Sequence, residues 1–157
     1  MKKFELTAES KINIFGKKLF RIKALISFGD VEEGEIGGWI EKEENLEQSS
    51  GDAWVYGNAR VYGDAEVSGN ARVYGNAEVY GNADYTTIHG FGTQFRTTTF
   101  FQCEDKQIRV SCGCFLGTIP EFREQVKNTR EGKIVEEYLM IADLMEKHFV
   151  KEKESGE

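Results

Sequence analysis

A six-residue repeat occupies the middle of the chain and constrains its fold more than any other feature. Between residues 51 and 86 the sequence reads GDAWVY, GNARVY, GDAEVS, GNARVY, GNAEVY and GNADYT. In the first five blocks an Ala stands two places before a Val, the alternation of a strand with one buried face. Each Gly-Asn or Gly-Asp can adopt a positive φ and turn the chain. A unit this short cannot bury its own apolar face, so the blocks are predicted to stack on one another.

The predicted stack is a parallel β-helix, in which short strands alternate with corners. An aliphatic residue followed four positions later by a small one, as in Val55 and Ala59, resembles the left-handed triangular β-helix of the hexapeptide-repeat family. In that family three blocks make one turn, so the resemblance implies about two coils. Residues eighteen apart should then stack, with Arg60 over Glu78 as an opposite-charge pair.

The flanking segments divide the chain into three predicted units. Residues 1–50 alternate apolar and polar residues around Gly16-Lys17-Lys18 and then become Gly-rich and acidic, which predicts a β-hairpin and a capping segment. Residues 51–86 form the repeat. Residues 87–157 contain two strand patterns, a capping box at Thr118-Ile-Pro-Glu121, a longer helical stripe and a frayed KEKESGE tail. The predicted fold is therefore mostly β: a short left-handed parallel β-helix with an N-terminal β cap and a C-terminal α+β (ββαα) cap.

Composition argues against several classes of protein. The formal net charge of −7 disfavours general binding of duplex nucleic acid, which needs a basic surface to displace counterions. The first residues, MKKFELTAESKINIF, lack the apolar core of a secretory signal, and no run approaches the length of an apolar membrane span. We therefore expect a cytoplasmic protein without a membrane partner.

The order of features is more specific than the repeat alone. Gly37-Gly38-Trp39-Ile40, Asn45-Leu46 and Gly51-Asp52-Ala53-Trp54-Val55 resemble the opening of small hexapeptide-repeat proteins of phages and prophages, loosely labelled polymer-forming or transferase-like. The later Thr-Thr-Phe strand and Cys112-Gly113-Cys114-Phe115 look like the tail of such proteins. The resemblance implies a non-enzymatic accessory binding protein in an infected or prophage-carrying bacterial cell. The expected role is counter-defence, by sequestering an anionic nucleotide signal or by blocking a host defence protein.

Two other functions stay open at this stage. The repeat also resembles hexapeptide acyltransferases, which place a general-base His on the coil. Residues 51–86 contain no His, so His89 would have to supply the base. In a structural or assembly protein the repeat itself would be the product, and open polymers would form. We expect no enzyme activity, no catalytic residue and no cofactor.

Three cysteines could offer thiolates to a zinc ion. Cys103, Cys112 and Cys114 would lie on adjacent predicted strands. Their spacing differs from the usual zinc-knuckle pattern, and the fourth ligand would have to be His89 or His148. Buried core thiols explain these cysteines without a metal, so no metal site is expected.

Four tyrosines of the repeat predict an oligomer interface. Tyr56, Tyr62, Tyr74 and Tyr80 point outward if the valines point inward, and a contiguous exposed aromatic patch usually marks a contact surface. The alternative is stacking between blocks within one chain. We expect self-association as a dimer or trimer.

The segment after the repeat is the best candidate for a ligand site. Gly90 and Gly92 allow backbone N–H groups to converge, and Arg96 offers a planar guanidinium for phosphate or carboxylate. The alternative is a structural junction in which the glycines turn the chain and Arg96 pairs with a carboxylate. An anionic small molecule is the expected ligand. The predicted ligand-binding residues are His89, Gly90, Gly92, Thr93, Gln94, Arg96, Thr97 and Thr99.

Overall fold

The computed structural model of the chain describes residues 2–49 and 51–150. In chain order the strands are β1 (Phe4–Ile12), β2 (Lys18–Ala24), β3 (Ile36–Ile40), β4 (Trp54–Val55), β5 (Arg60–Val61), β6 (Arg72–Val73), β7 (Glu78–Val79), β8 (Tyr85–Phe91), β9 (Arg96–Gln102), β10 (Ile108–Cys112) and β11 (Phe115–Thr118). The helices are α1 (Ile119–Thr129) and α2 (Lys133–His148). Within the described ranges no helix is long and apolar enough to cross a membrane. The predicted frayed tail, residues 151–157, lies outside the described residues.

The N-terminal hairpin, formed by β1 and β2, begins the largest sheet of the protein. This five-stranded sheet has the order β1-β2-β3-β5-β7. Its first three strands are antiparallel, whereas β3, β5 and β7 run parallel. Asn13 closes the hairpin turn, because its Oδ1 accepts hydrogen bonds from the N–H groups of Phe15 and Lys17, both at 2.9 Å. The hairpin is therefore continuous with the repeat through β3.

The blocks of the repeat pair at the predicted offset of eighteen residues. β4 pairs with β6, which places Val55 opposite Val73, and β5 pairs with β7, which places Val61 opposite Val79. These four valines are fully buried. The expected opposite-charge pair is also present, with Arg60 Nη2 lying 3.7 Å from an Oε atom of Glu78.

The predicted left-handed β-helix of about two coils is wrong. The strands of the repeat are two residues long and are divided between sheets. β5 and β7 extend the sheet of the N-terminal hairpin, whereas β4 and β6 form a separate two-stranded sheet. Val67 forms only an isolated bridge, to Leu46. Across residues 2–49 and 51–150, mixed sheets replace a continuous solenoid sheet, and the hairpin is part of the main sheet instead of a cap over it.

The physical reason for this error lies outside the repeat. The repeated pattern determines which blocks face each other, because Val and Ala must meet Val and Ala. The pattern does not determine which sheet a block joins. That depends on β3, which pairs with β5, and on Leu46, which bridges to Val67. Both partners lie in the Gly-rich acidic segment, whose sequence has no periodicity.

The C-terminal part is ββββαα, so the predicted ββαα arrangement is also wrong. Its four-stranded antiparallel sheet has the order β11-β10-β9-β8 and is followed by α1 and α2. The sequence pattern does not predict β8, because the residues of this strand were assigned to the last block of the repeat and to the glycine-containing loop. The pattern does not predict β11 either, because the turn at Gly113 and Cys114 divides one apparent strand into two.

The start of α1 agrees with the sequence. The Oγ1 of Thr118 accepts a hydrogen bond from the Glu121 N–H at 3.3 Å, and an Oε of Glu121 accepts one from the Thr118 N–H at 2.8 Å. The capping box is therefore confirmed, with Pro120 in the first turn. The box orients α1 as it leaves β11.

Strand β9 separates two hydrophobic cores. Phe101 belongs to the first core, with the valines and alanines of the repeat, Phe4 and Trp54. Its neighbour Phe100 belongs to the second core, which lies between the four-stranded sheet and the helices. Successive strand residues point to opposite faces, so two adjacent phenylalanines contact different cores. Arg96 begins β9, and this end of the strand lies where the repeat meets the C-terminal sheet and helices.

Candidate functional site

The predicted ligand segment is the hairpin of β8 and β9. His89 lies opposite Thr97, and its Nδ1 is 3.0 Å from the Thr97 Oγ1. At the turn, the Oε1 of Gln94 accepts a hydrogen bond from the Nη2 of Arg96 at 3.0 Å. Phe95, between them, has a φ of 54° and an exposed side chain. The hairpin thus holds one imidazole and one guanidinium at the surface.

Glycine is required at position 92 of this hairpin because the chain there approaches α2. A β-carbon on Gly92 would lie 2.8 Å from the hydroxyl oxygen of Tyr138. Gly92 also has a φ of 79°, which L side chains rarely adopt. Gly90 has a positive φ as well, but the space around it is open. Gly92 therefore brings the turn of the hairpin against the helix.

Thr99, one of the predicted ligand-binding residues, makes a structural contact with the repeat. Its side chain is buried, and its Oγ1 accepts a hydrogen bond from the Arg72 N–H at 3.0 Å. Such a bond satisfies a backbone donor of β6 that would otherwise be left without a partner. Thr99 thus joins β9 to the repeat.

Three clefts meet at Arg96. We call the largest, about 470 Å³, the helix-side cleft, because α1 and α2 form much of its wall. The repeat-side cleft, about 250 Å³, lies between His89 and Arg72. The turn cleft, about 120 Å³, lies between Thr93, Gln94 and Tyr138. Arg96 lines all three clefts, so a ligand in any of them would meet its guanidinium.

Arg96 and a second arginine, Arg130, lack an acidic partner. Within residues 2–49 and 51–150, neither guanidinium lies within 4.0 Å of a carboxylate oxygen. Among the described residues, the Arg130 guanidinium bonds the carbonyl and hydroxyl oxygens of Thr129, at 3.4 and 3.3 Å. Both arginines line the helix-side cleft and the turn cleft. Arg72, which lines the repeat-side cleft, forms an ion pair with Asp30 at 3.4 Å.

The helix-side cleft combines these charges with an aromatic wall. Phe115, Phe122 and Tyr138 line it together with the two arginines. Phe122 makes an edge-on contact with Tyr138, with ring centroids 5.7 Å apart, so the wall is fixed by packing. Burial raises the pKa of the Tyr138 phenol, which therefore stays protonated near neutral pH. The cleft can accept an anion that also has an apolar or aromatic part.

The four predicted interface tyrosines form two stacks within the chain. Tyr56 and Tyr74 stack with centroids 4.1 Å apart, and Tyr62 and Tyr80 with centroids 5.7 Å apart. Tyr62 is buried and Tyr80 is exposed, while the first pair is half-buried. The alternative interpretation, stacking between blocks, is thus present in the structure. The oligomer interface stays a prediction.

The three cysteines have different environments. Cys103 is buried in the first core, Cys112 is buried in the second, and Cys114 is exposed at the β10–β11 turn. The Cys112 sulfur accepts a hydrogen bond from the Thr98 hydroxyl at 3.2 Å. In the part of the chain that the structure describes, no group of three or more His, Cys, Asp or Glu residues could hold a metal ion.

Sequence reasoning identified Arg96 but missed its companions. Arg130 follows α1, and Phe115, Phe122 and Tyr138 follow core-like patterns on β11, α1 and α2. Only the packing of the helices on the sheet brings these residues to Arg96. The one available signal was that Arg130 ends a helix, where a cation near the terminal carbonyls is common for structural reasons alone.

Comparisons with known proteins add no family to this geometry. A comparison with models of protein families finds no match, and a comparison with curated proteins finds no significant relative. The resemblance to phage-encoded hexapeptide-repeat proteins therefore stays a prediction.

Proposed function

We propose that this chain is a non-enzymatic binding protein for a small organic anion, and that the helix-side cleft holds the ligand. One observation carries the proposal: Arg96 and Arg130 line the same cleft, and neither has a carboxylate partner among the described residues. The formal net charge of the protein is −7, so carboxylates are abundant on its surface. A guanidinium that avoids them is available to an external anion.

The chemistry of the cleft defines the class of ligand. A guanidinium presents a planar set of donors that matches phosphate or carboxylate and binds either one in a bidentate manner. Phe115 and Phe122 would contact an apolar or aromatic part of the ligand. The volume of about 470 Å³ falls within the range of pockets for small molecules. An aromatic phosphate or carboxylate fits these features better than an inorganic anion.

The role in the cell follows from binding without turnover. A protein that holds an anion and does not transform it acts by sequestration, in proportion to its own concentration. We propose this role in the cytoplasm of a phage-infected or prophage-carrying bacterium, where the sequestered anion would be a nucleotide signal of host defence. The support for this setting is the resemblance at residues 37–40, 45–46 and 51–55.

Calorimetric titration with a defined set of anions tests the proposal. The probes are inorganic phosphate, benzoate, phenyl phosphate and adenosine monophosphate, at low and moderate salt. We expect phenyl phosphate or the nucleotide to bind more tightly than inorganic phosphate, because only they also contact the aromatic wall. Arg96→Ala and Arg130→Ala should each weaken binding by at least about tenfold, the effect of losing about 1.4 kcal/mol.

Lys127→Ala is the matched control for these variants. It removes one positive charge from the exposed surface of α1, outside the clefts. Equal affinity in the three variants would show that only general electrostatic attraction is measured, and would contradict the proposal. Failure of every probe to bind the parent protein would contradict it as well.

A further inference from the structure

The tip of the β1–β2 hairpin carries three exposed apolar side chains. Ile12, Ile14 and Phe15 are 70%, 90% and 62% exposed. Their exposure is not due to a loosely held turn, because Asn13 makes two side-chain hydrogen bonds to the backbone of the turn. Exposed apolar groups of this kind mark contact surfaces.

Charge is segregated along this part of the chain. Residues 10–29 contain no carboxylate but five cations, which are Lys11, Lys17, Lys18, Arg21 and Lys23. Residues 30–41 contain no lysine or arginine but five carboxylates, which are Asp30, Glu32, Glu33, Glu35 and Glu41. We call residues 11–18 the cationic tip and residues 30–36 the acidic loop.

The cationic tip and the acidic loop lie at opposite ends of β2. Lys18 begins this strand at the tip, and Ala24 ends it beside the acidic loop. The Ala24 N–H donates to the Glu35 carbonyl at 2.9 Å, and the Gly34 N–H donates to the Ala24 carbonyl at 2.8 Å. Seven residues of extended strand separate the two ends by about 20 Å. Lys17 of the tip forms an ion pair with Glu41 at 3.7 Å, but the acidic loop itself, residues 30–36, lies at the far end of β2 and out of reach of the tip in the same chain.

The acidic loop also has an apolar side chain at its surface. Ile36 is 52% exposed, and Glu32 and Glu33 beside it are exposed as well. Neither of these two carboxylates forms an ion pair within the described ranges. The acidic loop thus matches the cationic tip in both respects: opposite charge, and an apolar group amid the charges.

We infer that the cationic tip of one protomer docks on the acidic loop of a second copy of this chain. Two tips cannot pair with each other, because their lysines would repel across the interface. The contact is therefore heterologous, with different surfaces on the two partners. Such contacts close into a ring when the rotation permits and otherwise extend into open chains.

A lipid surface is the other occupant that an apolar and cationic tip fits. The net charge of the protein favours a second copy of the chain over a lipid surface as the partner of the tip. A protein with a formal net charge of −7 is repelled from an anionic bilayer, whereas each copy of the chain supplies an acidic loop for the tip of another. This surface for self-association differs from the stacked tyrosines.

Sedimentation velocity of the purified chain and of two double variants tests the inference. The first variant, Ile14→Ser with Phe15→Ser, removes two of the three exposed apolar side chains of the tip. The second, Glu32→Lys with Glu33→Lys, reverses the charge of the acidic loop. We expect the parent protein to form oligomers and each variant to be monomeric, with dissociation constants raised at least about tenfold. Met140→Ser is the control, because Met140 is 69% exposed on α2 and outside both surfaces.

Mixing the two variants gives the sharper result. The first variant retains an intact acidic loop and the second an intact tip, so a mixture should form a heterodimer and stop there. A monomeric parent protein, oligomers that neither variant disrupts, or a mixture without heterodimer would each overturn the inference. Circular dichroism confirms that the variants are folded. Co-sedimentation with vesicles of phosphatidylglycerol and phosphatidylcholine, if abolished by the tip variant, would overturn it in favour of a lipid partner.

Discussion

Gly113 lies against the guanidinium of Arg96 so closely that no side chain fits between them. A β-carbon on Gly113 would lie 3.1 Å from the Cζ of Arg96 and closer still to its Nη1. Gly113 has a φ of 60°, so glycine at this turn serves both the backbone and the arginine. The β10–β11 turn thereby determines where the guanidinium enters the helix-side cleft.

Gly113→Ala should therefore impair anion binding. The methyl group would displace the Arg96 guanidinium, and we expect a loss of affinity for phenyl phosphate approaching that of Arg96→Ala. The strained backbone should also lower the free energy of unfolding by about 1–2 kcal/mol. Titration calorimetry and thermal unfolding measure the two effects separately.

Gly57→Ala is the control that separates strain from displacement. Gly57 has a similar φ, 57°, but a β-carbon there would meet no atom within 4 Å. The Gly57→Ala variant should lose stability and keep its affinity for phenyl phosphate. If the two alanine variants bind the anion equally well, Gly113 does not position Arg96.

The buried amide of Asn45 should contribute strongly to stability. Its Oδ1 accepts hydrogen bonds from the N–H groups of Glu41 and Lys42, at 3.1 and 3.0 Å. Its Nδ2 donates to the carbonyls of Gly63 and Ala65, at 3.2 and 2.9 Å. Asn45→Ala would remove these four bonds, of which the one to the Ala65 carbonyl is buried, at a cost of about 3 kcal/mol in the free energy of unfolding.

Urea unfolding measures this loss, and Asn58→Ala is its control. Asn58 is an exposed asparagine of the repeat, so its replacement should change the free energy of unfolding by less than about 0.5 kcal/mol. A similar small change in Asn45→Ala would show that the Gly-rich acidic segment is not fastened to the repeat by this amide.

The sequence predicted local features of this fold and missed those that depend on distant contacts. The hairpin around Gly16, the capping box at Thr118 and the pairing of Val61 with Val79 each follow from a short pattern or a repeat offset. The division of the repeat between two sheets does not, because β3 and Leu46 compete for the blocks from outside the repeat.

The candidate site shows the same limit. Arg96 was identifiable because it follows a glycine-containing turn at a strand end. Arg130 lies 34 residues further along the chain, where nothing in the neighbouring residues points to the cleft. Its contribution depends on how α1 packs on the sheet, and that packing is determined by apolar residues such as Phe122 and Val126. A binding site built across two elements is visible only once their packing is known.

Cys103 and Cys114 should differ strongly in reactivity. Burial raises the pKa of the Cys103 thiol to about 12, so it stays protonated and unreactive at pH 8. Cys114 is exposed at the β10–β11 turn. With iodoacetamide at pH 8, peptide mass spectrometry should show modification of Cys114 within minutes and of Cys103 only after unfolding. Rapid modification of Cys103 in the folded Cys114→Ser variant would contradict its burial.

The hydrogen bond between Tyr62 and Glu78 should contribute measurable stability that disappears at high pH. The Tyr62 hydroxyl donates to an Oε of Glu78 at 2.6 Å, and Glu78 is only 9% exposed. Tyr62→Phe removes a hydrogen bond to a charged group, so the free energy of unfolding at pH 7 should fall by about 2 kcal/mol. Tyr80→Phe, in the other ring of the same stack, should change it far less.

The pH dependence provides the second measurement for Tyr62. Burial, followed by the bond to Glu78, raises the pKa of the Tyr62 phenol above its ordinary value near about 10. A group with a raised folded-state pKa contributes its full stability below the unfolded pKa and loses it as the pH rises toward the folded value. The stability difference between the parent protein and Tyr62→Phe should therefore be constant from pH 7 to about 9 and shrink above about pH 10. Urea unfolding of both proteins across this range tests the expectation, and a difference that grows above pH 10 would contradict it.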